Sequence, residues 1–296
     1  METKTKILNK IRKVFTFYPL ERLLLSFVNG SKDTSYKIKI LPGPSLYDYN
    51  SIRKETRNGI NYELDISCLM QWYLYWGIQD ILRHKLYSQI KPGDVVFDVG
   101  TNIGDTLLNF AKIVGNEGKV YGFEPDEKTY GKANKNIALN DFQNILLFKL
   151  GISDKTESVK LYEVDEHNFG MNRILTEESG KNFNFSIIET ISIDAFVVEH
   201  GIKRLDFIKI DIEGYEMHAV SGARKTLQTQ KPVLFIELGF ERLIKNATTP
   251  NEVVRILEDA NYKVRIADTD IEISNNYDFS FLGSDGVIDI IANFKY

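Results

Sequence analysis

The sequence predicts an α/β fold, a mostly parallel sheet with helices on both faces. Two observations carry this. Short apolar runs, most of them ending in a polar residue or glycine, recur from residue 95 to the end of the chain, as do strands buried on both faces of a parallel sheet. Between them lie stretches of helical periodicity, and sustained strand–helix alternation belongs to this class.

The strand runs are VVFDVG (95–100), KVYGFEP (119–125), ILLFKLG (145–151), LDFIKIDIEG (205–214), PVLFIELG (232–239), YKVRI (262–266) and VIDIIANF (287–294). Tyr130, Ala133 and Ile137 share one helical face after Pro125, and Val253, Ile256 and Ala260 share another. Thr249-Pro250-Asn251-Glu252 opens the second helix: a Thr N-cap, a proline in the first turn and a Glu three residues on make a capping box. Residues 156–194 break the rhythm. SVKLYEV (158–164) and SIIETISI (186–193) read as two extra strands around a mobile Asn/Gly-rich loop, the kind of insert that carries substrate specificity.

Composition splits the chain near residue 90. Residues 1–89 hold both tryptophans and a break at LPGP (41–44), with a helix expected over 69–76. This segment reads as a cap or lid, or as structural packing, and 90–296 as the main domain. Trp72 and Trp76, four apart, suit either core packing or stacking on a sugar. With 43% hydrophobic residues the chain has material for a core, which excludes wholesale disorder. Lys and Arg number 37 against 41 Asp and Glu, a net charge of −4, so a duplex-binding surface is not expected. One cysteine, Cys68, excludes a disulfide framework and a multi-Cys zinc site. Residues 1–28 begin basic and turn apolar, but Glu21 and Arg22 interrupt the run and no small-residue cleavage site follows. No apolar run approaches the ~20 residues of a membrane span, and the expectation is a soluble, cytoplasmic protein. The basic start (Lys4, Lys6, Lys10, Arg12, Lys13) reads as a solvated helix, with an acidic membrane surface or partner as the alternative.

Chemistry centres on the turn Asp98-Val99-Gly100-Thr101-Asn102-Ile103-Gly104-Asp105-Thr106, which closes the first strand and opens a helix. Glycines let a ligand approach the backbone, and the helix N-terminus offers free N–H groups. A dinucleotide fingerprint from Gly100 needs glycines where Asn102 and Asp105 stand, and Asp105 would oppose a pyrophosphate. A P-loop from Gly122 fails at Glu127. Asp-x-Gly-x-Asn-x-Gly instead resembles the first motif of class I S-adenosylmethionine-dependent methyltransferases. On that reading Asp98 meets the ammonium of the methionine tail, directly or through water. Glu124, ending the next strand before Pro125, accepts from the ribose hydroxyls.

The resemblance then narrows. VVFDVGTNIG (95–104), FEP (123–125) and IKIDIEGYE (208–216), with SGARKTL (221–227), KPVLFIE (231–237) and the upstream RNGINYELD (57–65), are similar to the FkbM family of methyltransferases, over roughly residues 55–265. The resemblance implies a Rossmann-like class I fold of seven strands with the last antiparallel, S-adenosylmethionine as cofactor, and O-methylation of a hydroxyl; family substrates include sugars and natural-product macrocycles, and the expectation here is a sugar, glycan or related metabolite. Two departures stand out. The third strand ends on Leu150-Gly151 rather than an acid, leaving Ser153 or Asp154 to meet adenine. Leu238-Gly239 follows Glu237 where family members often carry histidine.

Methyl transfer needs alignment of nucleophile, methyl and sulfur, and removal of the hydroxyl proton. Asp211, at the end of the fourth strand, is the candidate base, assisted by Glu213; its alternative role is to bind the methionine tail or cap a helix. Glu237 is a second candidate base. A divalent metal would serve the same end, but no ligand spacing indicates one. His167, Asn168, Asn172 and Arg173 in the insert are candidate substrate contacts. His84 and His200 read as solvated or helix-end residues, and His218 as surface with reach toward the crevice. Asp-Ile-Glu-Gly in place of an Asn/Asp-Pro-Pro motif argues against methylation of nucleic-acid bases. An NAD(P)-dependent oxidoreductase and an inactive binding module remain the alternatives, and the oligomeric state is not legible.

Overall fold

The computed structural model describes residues 2–28, 38–78, 82–164, 172–175, 182–283 and 286–296. The chain divides into two units, Met1–Ile81 and Leu82–Tyr296.

In the first unit, helices α1 (Glu2–Val14) and α2 (Tyr18–Val28) precede a hairpin of β1 (Ile52–Arg57) and β2 (Ile60–Asp65), followed by α3 (Leu69–Tyr75). Asn58 and Gly59 both take positive φ, 52° and 74°, the geometry a two-residue hairpin turn requires. Ile60, Tyr62 and Leu64 alternate inward along β2. Glu21 of α2 is fully buried and accepts from Arg53 Nε at 2.7 Å, Arg53 Nη2 at 3.2 Å and Tyr75 Oη at 2.7 Å. Trp72 and Trp76 are buried, with Trp72 Nε1 donating to the Pro42 carbonyl, so neither ring offers a face to a sugar.

The second unit opens with α4 (Leu82–Tyr87) and is built on β3 (Val95–Val99), β4 (Lys119–Phe123), β5 (Ile145–Phe148), β10 (Phe207–Ile210), β11 (Val233–Gly239), β12 (Tyr262–Ile266), β13 (Glu272–Ile273) and β14 (Val287–Phe294). Their order is β13-β12-β14-β11-β10-β3-β4-β5. The strands from β5 to β11 are parallel, and β14 inserts antiparallel between β11 and β12. These are the seven strands expected, with the last reversed, plus the two-residue β13 at one edge. Helix α5 (Asp105–Val114) packs Leu107, Phe110 and Val114 against Val96, Val120 and Phe207 on one face. On the other face Phe97, Phe123 and Phe148 meet Phe196 of α7 (Ile193–Glu199) edge-to-face. Helix α6 (Glu127–Ala138) is capped by Asp126, which accepts from Thr129 N at 2.8 Å. Helix α11 (Pro250–Asp259) carries the full Thr249/Glu252 capping box.

Two expectations are corrected. The run 145–151 is not one strand: the chain leaves the main sheet after Phe148, and β6 (Gly151–Ser153) pairs with β9 (Asn184–Ser192). The insert contributes three strands rather than two, since β7 (Glu157–Glu163), β8 (Arg173–Ile174) and β9 join β6 in a second sheet ordered β6-β9-β7-β8.

Closure of the central sheet depends on Gly100. Its φ is +82°, and a Cβ there would lie 1.9 Å from the Asp211 carbonyl oxygen. At Gly104 (φ +90°) the nearest atom to such a Cβ is 3.7 Å away. Gly100→Ala is therefore expected to lower the melting temperature well beyond Gly104→Ala, which carries only the ~1–3 kcal/mol of a strained backbone. Equal losses in thermal denaturation would show that the β3–β10 contact is not limiting.

Candidate active site

The carboxyl ends of β4, β3, β10 and β11 lie side by side, and the crevice beyond such ends is where open α/β sheets bind ligands. In register, Lys209 of β10 stands opposite Asp98 of β3. Lys209 Nζ donates to the Gly100 carbonyl at 2.9 Å and pairs with Asp211 at 3.2 Å and Asp98 at 3.6 Å. Burial works against its charge, but the two carboxylates outweigh that and hold its pKa above the ordinary lysine value. Asp98 has no exposed surface; its Oδ2 accepts from Thr106 Oγ1 at 2.7 Å, while its Oδ1 accepts no hydrogen bond. Burial pushes this carboxyl up. Asp98 thus lies beneath Lys209 and Thr106, closed to direct contact in this conformation, whereas the Asp211 side chain is 35% exposed.

Glu124 sits one strand over. Its Oε2 accepts from Asn102 N at 2.9 Å and its Oε1 from Asp126 N at 3.0 Å. Asn102, at φ +52°, turns its N–H inward for this contact. Burial raises the Glu124 pKa to about 7 despite both N–H groups. A carboxylate offers about four lone-pair sites, so two remain, and a vicinal diol supplies two donors. Gly104 leaves the α5 N-terminus without a side-chain cap. These features fit the ribose and tail of S-adenosylmethionine. Asp105 turns elsewhere, pairing with Arg83 at 2.5 Å and accepting from Asn109 Nδ2 at 3.2 Å.

After β6, Ser153 is buried and its Oγ lies 3.0 Å from Asp154 Oδ1. Asp154 faces His218 Nδ1 at 3.5 Å, and His218 stacks on Tyr215 at 4.2 Å between ring centres. The expected adenine residues and the one histidine with reach toward the crevice therefore share a neighbourhood.

Beyond β10 the turn is held tightly. Glu216 accepts from Ile212 N at 3.1 Å and Gly214 N at 2.9 Å, and burial raises its pKa to about 7. Glu213 is left-handed at φ +57°. Its carboxylate meets Arg242 Nη1 at 2.9 Å, and the same nitrogen meets Glu237 at 3.0 Å. Glu237 is driven well above the carboxylate range, first by Asp211, then by burial and by Asp289 directly opposite on β14. Glu213 is raised by burial and Asp211.

Asn172 reaches Asp126 Oδ2 at 3.4 Å, and Arg173 feels Glu213 and Arg242, its own pKa lowered by burial. His167 and Asn168 lie outside the described residues. Among the described residues no group of three His, Cys, Asp or Glu is placed to hold a metal. Sequence reasoning missed Lys209, Asp126, Glu216 and Arg242. A lysine inside the apolar run FIKI was a visible signal for the first; Arg242 had none, because only the fold brings it to Glu237.

The pattern of the methyltransferase FkbM domain matches residues 98–264. The chain is 26% identical over 190 residues to hexuronic acid methyltransferase AglP of Haloferax volcanii, covering 64% of this chain and 72% of that protein. It is 23% identical over 190 residues to 2-O-methyltransferase NoeI of Sinorhizobium fredii, covering 58% and 76%. A solved methyltransferase FkbM from Methylobacillus flagellatus aligns with 77% of this chain and 54% of its own, at 17% identity and a TM-score of 0.42. Neither the oxidoreductase nor the inactive-module alternative finds support among these relatives. The chain belongs to the FkbM family of S-adenosylmethionine-dependent methyltransferases.

Proposed function

We propose that the enzyme methylates a hydroxyl of a sugar, glycan or related small metabolite, with Asp211 as the proton acceptor. The observation that carries the sugar acceptor is the similarity to a hexuronic acid methyltransferase and to a 2-O-methyltransferase, each over 190 residues. The exposure of Asp211 beside Lys209 supports its role. The net charge of −4 supports a glycan rather than nucleic-acid acceptor. One free, buried cysteine suits a cytoplasmic setting, and no helix among the described residues is long and apolar enough to cross a membrane. Incubating the protein with methyl-labelled S-adenosylmethionine and a panel of hexoses, uronic acids and non-sugar alcohols tests the sugar acceptor: label should enter an ether of a sugar, and label confined to the non-sugar alcohols would refute it.

S-adenosylmethionine supplies a methyl group on a sulfonium. In this reading Glu124 would hold the ribose diol, with Pro125 and Asn102 shaping the turn. Gly100, Gly104 and the uncapped start of α5 would hold the methionine tail, and Ser153 and Asp154 would meet the base. Asp98 acts through Lys209 and Thr106 rather than by contact, and Asp105 anchors α4 through Arg83. Asp211, the exposed acid, takes the hydroxyl proton while Lys209 positions it. Glu237, held above the ordinary carboxylate range by Asp211 and burial, pairs with Arg242 beside Glu213, which leaves Asp211 as the base in this reading. Asn172, on Asp126, and Arg173, near Glu213, are the insert residues that would meet the acceptor.

Glu124→Ala should weaken S-adenosylmethionine binding by ~1–3 kcal/mol, read by calorimetry; an unchanged dissociation constant would remove Glu124 from the ribose. Asp211→Asn should lower kcat far more than cofactor affinity, and equal losses would make it a binding residue. Because the free Glu124 titrates near pH 7 and the diol favours its ionised form, affinity should weaken as pH falls through 7. Binding that is flat from pH 5 to about 8 would show that Glu124 does not exchange a proton on complex formation.

A further inference from the structure

We propose that α1 and α2 form a basic, amphipathic face that seats the enzyme on an anionic phospholipid bilayer. Residues 1–28 carry six basic side chains (Lys4, Lys6, Lys10, Arg12, Lys13, Arg22) against two acids (Glu2, Glu21), a surplus of four in a chain whose net charge is −4. Of the six bases Arg22 is paired with Glu55, while one of the two acids, Glu21, is buried and neutralised by Arg53.

That same contact fixes which way α2 faces. With Glu21, Leu25 and Val28 turned inward, Leu23 and Phe27 point out, Phe27 at 73% exposure. On α1, Leu8, Ile11 and Val14 recur three apart and are all exposed, while exposed Lys10 and Lys13, also three apart, form a separate stripe. Phe17, between the helices, and Tyr18, which opens α2, are exposed as well, Phe17 at 64%. Apolar and aromatic residues flanked by lysines on short helices are what lies in a bilayer interface, where rings sit at headgroup level and cations meet anionic lipid. Neither helix is long enough to span, at 13 and 11 residues. The inference does not rest on the acceptor assignment, since its readout is lipid binding.

Full-length protein should float with phosphatidylcholine vesicles containing about one-third phosphatidylglycerol and not with phosphatidylcholine alone. Raising ionic strength from about 0.1 M to about 1 M should release much of it. Phe17→Glu with Phe27→Glu should cut vesicle affinity at least about tenfold, with the melting temperature and S-adenosylmethionine affinity unchanged. Absence of wild-type binding to anionic vesicles, or binding indifferent to lipid charge, would overturn the proposal. So would concentration-dependent dimers that the double variant dissolves, which would assign the face to a second copy. If the double variant misfolds, Lys10→Glu with Lys13→Glu tests the same claim, and undiminished vesicle binding by that variant would also overturn it.

Discussion

Lys209 is the cation on which the arrangement of the site rests. It lies in the middle of the sheet, in register with Asp98 and two residues before Asp211, and it also holds the Gly100 carbonyl. One ammonium thus ties together the end of β3, the glycine turn and the end of β10. Removing one partner of such a buried set leaves an uncompensated charge, a loss of about 3–5 kcal/mol. Gly100 complements it: two strand ends approach so closely that any side chain would strike the Asp211 backbone. Charge and shape converge on the same few ångströms.

Around this node the acids take different states. Asp98 is sealed and spends its contacts on Thr106 and Lys209. Glu124 is half satisfied by two backbone N–H groups and left with capacity for a diol. Asp211 is the open one, while Glu237 is pushed toward its protonated form by Asp211, burial and Asp289. Arg242 keeps Glu213 and Glu237 together without bringing a third acid into the open.

The strand ends and the glycine turn were legible because they obey local rules: buried runs, turn glycines, and a capping box that forms as spelled. The hairpin over 52–65 carries its own local signal in Asn58-Gly59 and the alternation of Ile60, Tyr62 and Leu64. The division of 145–151 was not legible, since Lys149 and Leu150 contain no breaker and the switch of sheet is decided by pairing of Gly151 with the distant Thr190. Direct contact through Asp98 was a fair reading of the motif, but burial beneath Lys209 depends on tertiary packing. Arg242 and Asp289 join the site only because β11 pairs with β14 and the chain turns back after Gly239.

A crystal structure with S-adenosylhomocysteine, the product left after methyl transfer, examines all of these relations at once. The account predicts both ribose hydroxyls on the Glu124 carboxylate, Lys209 still bridging Asp98 and Asp211, and the sulfur turned toward Asp211. A nucleoside whose ribose lies beyond hydrogen-bond reach of Glu124, or a sulfur turned away from Asp211, would contradict it.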